Sequence, residues 1–190
     1  IQQLDEADAI LIVGSNPRWE ASVLNTRIRK AYLYNDCKIG LIGKSLELTY
    51  KYNHLSESLC FLNEIFEGTS SFCEILMNAK KPFLIIGNSA INGEDGEDVL
   101  DLCAQITKKF ETGKDNWNGF NILQQDISKV GALDIKFYNN EFSTNFNKNI
   151  KIHLDTFKPV VFLLGSDELN HSILQNAFVV YIGHHGDNSA

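Results

Sequence analysis

Long hydrophobic runs are missing from this sequence. The longest, Ala9 to Gly14 and Ala177 to Gly183, reach about a third of the roughly 20 apolar residues that a bilayer-crossing helix needs, so no membrane span is expected. An excess of positive charge is missing too: 17 Lys and Arg stand against 24 Asp and Glu, a formal net charge of -7. That balance argues against a chain that wraps nucleic acid or clings to anionic lipid. Paired cysteines are missing as well. Cys37, Cys60, Cys73 and Cys103 are scattered, without the CxxC or CxH spacing of a zinc or iron-sulfur site, and read as reduced, cytosolic and mostly buried thiols rather than a disulfide scaffold. No GxGxxG dinucleotide fingerprint occurs. A charged n-region followed by an apolar h-region is absent, and so is an initiator methionine, so Ile1 is expected to mark a cut into a longer chain.

What is present is enough hydrophobicity, 44% of 190 residues, for a globular core. Five short apolar runs each close on glycine: AILIVG at 9–14, CKIGLIG at 37–43, PFLIIG at 82–87, VVFLLG at 160–165 and FVVYIG at 178–183. They do not alternate polar with apolar, which is the pattern of parallel strands covered on both faces by helices. Helical patterns lie between them. Asn16 is placed as an N-cap with Pro17 at the first helical position, and Ala21, Leu24, Ile28 and Ala31 form one stripe. A second helix starts at the acids Asp95, Glu97 and Asp98, carries Val99, Cys103, Ile106 and Phe110 on one face, and ends near Lys108 and Lys109. Phe72–Ala79 and Ile122–Val130 are two further helix candidates. The predicted class is therefore α/β, a Rossmann-like, mostly parallel sheet with helices on both faces. Residues 1–190 read as one region with possible sub-units 1–80 and 81–190, and residues 111–121 and 138–158 read as irregular connections. A weak internal likeness relates Ile12-Val13-Gly14-Ser15-Asn16 to Leu163-Leu164-Gly165-Ser166-Asp167.

Candidate chemistry is sparse. Gly43-Lys44-Ser45 follows a strand like the end of a phosphate-binding loop, but Lys38 stands where that motif requires its first glycine, so a turn is the better reading. His184, His185 and Asp187 follow the last strand, where open sheets place ligands. Adjacent histidines diverge, however, so a polar turn outweighs a metal site. Ser15 and Ser166 sit past strand-closing glycines without the GxSxG of a nucleophile elbow, and read as turn or capping hydroxyls. Arg18-Trp19-Glu20 with Arg27, Arg29 and Lys30 is the one basic concentration; it could grip an acidic partner, though a solvated helix face outweighs that. No catalytic, cofactor-binding or metal residue is nominated.

The segment DEADAILIVGSNPRWEASVLNTRIRKAYL at 5–33 resembles the molybdopterin-oxidoreductase superfamily, in the branch formed by the large iron-sulfur (G-type) subunit of NADH-quinone oxidoreductases (respiratory complex I). GLIG at 40–43 with LTYKYNHL at 48–55, KPFLIIG at 81–87, SKVGALDIKF at 128–137, LLGSDE at 163–168 and VVYIGHHGD at 179–187 carry the same resemblance in order along the chain. It implies a C-terminal portion of a longer subunit whose 2Fe-2S and 4Fe-4S clusters lie upstream of Ile1. Partners would be the other subunits of the hydrophilic arm, with no nucleic acid and no direct membrane insertion, on the cytoplasmic side of the inner membrane as a peripheral part of a membrane complex. In the molybdenum enzymes the two related strand-turn units would hold the halves of a pterin dinucleotide. Here the second strand runs on as Lys44-Ser45-Leu46-Glu47, without the acidic residue and following Arg-x-Thr of nucleotide-binding members, so the resemblance implies a structural, non-catalytic domain taking part in electron transfer from NADH to quinone. Two alternatives stay open: a molybdopterin-dinucleotide-binding oxidoreductase fragment, and a nucleotide-binding regulatory α/β module.

Overall fold

The computed structural model describes residues 2–93, 95–111, 117–124, 127–136, 160–165 and 177–183. The chain divides into two units, Ile1–Lys129 and Val130–Ala190. In the first, a 3-10 turn (Gln2–Glu6) leads into β1 (Ala9–Val13), α1 (Pro17–Glu20), α2 (Ser22–Asn35), β2 (Lys38–Ile42), β3 (Asn53–Ser56), α3 (Phe61–Glu67) and α4 (Ser71–Asn78). Then come β4 (Pro82–Ile86), α5 (Asn88–Ile91), α6 (Gly96–Glu111) and β5 (Phe120–Ile122), and α7 (Ile127–Asp134) follows. The second unit holds β6 (Val160–Leu164) and β7 (Phe178–Ile182). No described helix is long and apolar enough to cross a membrane.

The five strands of the first unit are parallel, in the order β3-β2-β1-β4-β5. All five residues of β1 and of β4 are buried, as unbroken apolar runs require when both faces of a sheet are covered. Side chains alternate between two cores. Ala9, Leu11, Val13, Leu84 and Ile86 pack on one side against Leu62, Ile65, Phe72, Leu76, Cys103 and Ile106 of α3, α4 and α6. Ile10, Ile12, Ile39, Leu41, Phe83 and Ile85 pack on the other against Leu4, Ile28, Ala31 and Tyr50. Gly40 is required in β2 because a Cβ there would lie 2.8 Å from the Phe72 ring. The charge logic of α6 holds, with Glu97 and Asp98 in its first turn and Lys108 and Lys109 in its last. Asp8 fixes the entry to β4, its carboxylate accepting from the Lys80 and Lys81 N–H groups at 2.7 and 2.8 Å.

All five apolar runs are strands, and the predicted α/β class with a parallel sheet and helices on both faces is observed. Three local readings need correction. The helix placed after Asn16 is two helices: Ala21, at φ -151° and ψ 72°, breaks it, ending α1 by donating to Pro17 O and opening α2 by accepting from Asn25 N–H. Asn16 holds the N-cap position, but its side chain makes no capping bond. The helix expected over Ile122–Val130 starts at Ile127, because Ile122 instead pairs with Ile86 as the last residue of β5. This strand also ends the stretch 111–121 read as irregular. Its three residues are only partly buried, and the β4 backbone sets it: Leu84 N–H donates to Gly119 O and Leu123 N–H to Ile86 O. Residues 138–158 lie outside the described residues.

Candidate functional site

Open parallel sheets bind ligands outside the carboxyl ends of their strands, where neighbouring strands connect in opposite directions. In the first unit that point lies between β1 and β4. The backbone ladder continues past the strand ends: Gly14 N–H donates to Ile42 O at 2.9 Å, Gly87 N–H to Val13 O at 2.8 Å, and Gly43 N–H to Ser56 O at 2.8 Å. Gly14 takes φ +55°, a conformation that costs other residues about 1–2 kcal/mol. In dinucleotide folds such glycines leave space for a pyrophosphate. Here the place that a side chain would take at each glycine is filled by protein. A Cβ on Gly87 would lie 2.2 Å from Gly14 O and 2.6 Å from Ser15 Cβ, and one on Gly14 would lie 2.6 Å from Ala90 Cβ. The Ser89 hydroxyl donates to Gly14 O in the same contact.

The donors at the head of α1 are likewise taken from within. Glu20 folds back so that Oε2 accepts from the Ser15 hydroxyl at 2.9 Å and Oε1 accepts from Asn16 N–H at 2.9 Å. A carboxylate of the chain therefore sits on the groups that a bound anion would use. Among the described residues, the polar atoms left buried without a partner near the ends of β1, β4 and β5 are Asn16 Oδ1, Asn88 Oδ1, Asn121 Nδ2 and Gln124 Oε1, three acceptors and one donor.

Past β2, the Lys44 and Ser45 turn is closed by Tyr52, whose hydroxyl accepts from Leu46 N–H at 2.8 Å and donates to Leu46 O at 2.6 Å. Arg18 donates to Glu47 O at 2.9 Å, and His54 Nε2 donates to Gly43 O at 2.7 Å. The turn reading of Gly43-Lys44-Ser45 thus accounts for its contacts. Tyr52 is the group that sequence reasoning missed, since an aromatic in a polar loop carries no motif. Ser15 is buried with its hydroxyl engaged, as a turn hydroxyl rather than a presented nucleophile. Of the basic residues, Arg27 and Lys30 share Asp5 at 3.2 Å each, binding α2 to the first turn. Ser166, Asp167, His184, His185 and Asp187 lie outside the described residues.

Among the described residues no group of three His, Cys, Asp or Glu could hold a metal ion. The cysteines are free, Cys37, Cys73 and Cys103 buried and Cys60 exposed. Burial, with the nearby charges of Asp8 and Asp36, pushes the Cys37 thiol up from 9.0 to about 12, and burial alone pushes Cys103 to about 12. Burial also raises Cys73 and the Tyr50 phenol, whose hydroxyl donates to Asn25 Oδ1 at 2.8 Å. These groups stay protonated at neutral pH, the opposite of an activated nucleophile.

The family profile described as molybdopterin oxidoreductase matches residues 1–190. The chain belongs to that family. Within the molybdopterin oxidoreductases it is 38% identical over 190 residues to the NADH-ubiquinone oxidoreductase 75 kDa subunit of Reclinomonas americana, covering 100% of this chain and 27% of that protein. It is 38% identical over 187 residues to the G subunit of NADH-quinone oxidoreductase from Rickettsia bellii, covering 98% of the chain and 26% of the relative. The NADH-ubiquinone oxidoreductase 78 kDa subunit of Candida albicans is 38% identical over 189 residues, covering 98% of the chain and 24% of the relative. The chain thus spans about a quarter of the length of these curated relatives. The resemblance drawn from segments 5–33 through 179–187 is to the same proteins.

Proposed function

We propose that this chain is a structural, non-catalytic portion of an NADH-quinone oxidoreductase subunit of the G or 75 kDa type, one that has lost molybdopterin binding. The carrying observation is Glu20, whose carboxylate occupies the Ser15 and Asn16 donors at the head of the first strand-turn unit. The packed Gly14 and Gly87 backbones beside it agree. A pterin dinucleotide brings a doubly charged pyrophosphate, which needs oriented amides and cations. The residues present do not fit that group, and no chemical step is assigned to this chain.

The identity of 36–38% to NADH-ubiquinone and NADH-quinone oxidoreductase subunits supports the rest of the reading. The parent assembly passes electrons from NADH to quinone, its iron-sulfur clusters are carried by residues outside these 190, and this segment supports the peripheral arm beside its sister subunits on the cytoplasmic side of the membrane. The test is elemental analysis and pterin fluorescence on the chain purified in its native assembly. Co-purification with NADH-oxidising activity, without molybdenum, tungsten or pterin, is the expected result. Molybdenum or tungsten near one atom per chain overturns it in favour of a cofactor-binding oxidoreductase.

A further inference from the structure

The outward face of α1 and α2 is unlike the surface of a helix that faces water. Inward, α2 buries Asn25, Ile28 and Ala31. Outward, a solvent-facing helix carries polar residues, but here Trp19 is 80% exposed, Val23 72%, Leu33 60% and Tyr34 79%. Within α2, positions 23, 26, 30 and 33 fall on one side because they are spaced by three and four residues. Beside the head of this ridge opens a groove of about 490 Å³, lined by Trp19, Val23, Leu24, Phe83, Ile85 and Ile122. An exposed tryptophan at the lip of an apolar groove is the composition of an interface centre, where Trp, Tyr and Arg dominate binding energy.

The charge of the same face selects the partner. Asp5 is one carboxylate set against two cations, Arg27 and Lys30, and the exposed Arg29 adds a third. Glu20 lines the groove as a second carboxylate, so three cations stand against two carboxylates and the face keeps one positive charge in excess, in a chain whose net charge is -7. A second copy meeting it symmetrically would double that excess charge within the contact, which disfavours self-pairing through this face.

We infer that the α1–α2 ridge and the groove beside Trp19 dock an acidic segment of a different polypeptide, with an apolar side chain seated between Trp19 and Phe83 and carboxylates along Arg29 and Lys30. This rests on the proposed function in one respect: the partner is a sister subunit of the assembly. The residues to be changed, Trp19, Val23, Arg29 and Leu33, are exposed and absent from the core, so they can be changed without disturbing the fold; Phe83 and Ile85, which floor the groove, belong to the core and are left as they are.

The experiment introduces the photo-crosslinker as Val23→benzoylphenylalanine or Leu33→benzoylphenylalanine in the chain within its native assembly, and maps crosslinks by mass spectrometry. Both positions are expected to capture the same acidic segment of another subunit. Arg29→Glu should cut the crosslink yield about tenfold, with Arg29→Lys close to the parent chain. Trp19→Ala should cut it by a similar factor, and Trp19→Phe less. A chain that co-purifies with the assembly but crosslinks only to itself, to lipid or to a segment without acidic residues overturns this inference and leaves the proposed function standing. A yield indifferent to Arg29→Glu does the same. A chain that does not co-purify with NADH-oxidising activity overturns both.

Discussion

Strands β1 and β2 close at Gly14 as strands β6 and β7 close at Gly165. In each pair the strands are parallel over five residues, Ala9↔Lys38 to Val13↔Ile42 and Val160↔Phe178 to Leu164↔Ile182. The glycines take φ +55° and +56°, and each donates its N–H to the last carbonyl of the neighbouring strand, Ile42 O at 2.9 Å and Ile182 O at 2.8 Å. Burial separates them. All of β1 is buried, whereas β6 leaves Val160, Phe162 and Leu164 exposed and β7 leaves Phe178 and Ile182 exposed. A β-branched run closing on glycine therefore specifies the strand and its turn locally, while the helices packed over the sheet decide what that strand contributes to stability. Residues at equivalent places in the two units should respond differently to the same substitution.

The largest contrast is expected at Leu11 and Phe162, which hold the third position of β1 and β6. Leu11 is fully buried and Phe162 is 63% exposed. Leu11→Ala should cost about 2–5 kcal/mol through lost transfer energy and the cavity left behind. Phe162→Ala should cost under about 1 kcal/mol. Urea unfolding of the two variants decides it, and equal losses would mean that the β6 face is covered as well as that of β1.

The glycines come next. Gly14→Ala combines the left-handed backbone with a Cβ 2.6 Å from Ala90 Cβ, whereas a Cβ on Gly165 meets nothing within 4 Å. Backbone strain of about 1–2 kcal/mol applies to both, and overpacking adds roughly 1–3 kcal/mol at Gly14 alone. If Gly165→Ala proves as damaging as Gly14→Ala, the two turns are equally confined.

Alkaline pH separates the regions by chemistry, since all four cysteines lie before residue 130. Cys37 and Cys103 have folded values near 12 against 9.0 for a free thiol. A raised value stabilises fully below pH 9 and is lost as pH climbs from 9 towards 12, because only the unfolded chain ionises there. The fall should approach about 1.4 kcal/mol per pH unit for each thiol, and the buried Tyr50 adds to it at higher pH. Hydrogen exchange should show β1, β2 and β4 losing protection over this range before any change at β6 and β7. At pH 8, iodoacetamide should modify Cys60 quickly and the buried Cys37, Cys73 and Cys103 only on unfolding.

How much of this could be read in the sequence follows from the same division between local and tertiary causes. The runs at 9–14, 37–43 and 82–87 were legible as strands because burial on both faces leaves an unbroken apolar signature. Asn53–Ser56 and Phe120–Ile122 were not, since an edge strand needs only its backbone paired and its sequence, NHLS or FNI, looks like a loop. The break at Ala21 was invisible because alanine favours helix. At the strand ends, the missing phosphate-loop spacing around Lys44 was legible. The groups that fill the site were not: Glu20 is four residues from the turn that it closes, and Tyr52 six from Leu46. Contacts between residues that match no motif appear only once the chain is folded.

The smallest effect tests that filling directly. Glu20→Gln keeps the length of the side chain and removes its charge, so the bonds from Ser15 and Asn16 lose their charge-assisted part. The expected loss is about 1 kcal/mol, below the range for a fully buried pair because the Glu20 side chain is partly exposed. Glu20→Asp retains the charge but cannot reach both donors, and should lose as much as Glu20→Gln. If Glu20→Asp is silent while Glu20→Gln is costly, charge at the head of α1 matters and geometry does not. If both are silent, water serves Ser15 and Asn16 as well as the carboxylate does, and Glu20 no longer supports the proposed loss of cofactor binding at this turn. Gly165 offers the control: its hydrogen bond to Ile182 O forms without a carboxylate in any described contact, so the β6–β7 ladder should be indifferent to both substitutions in hydrogen exchange.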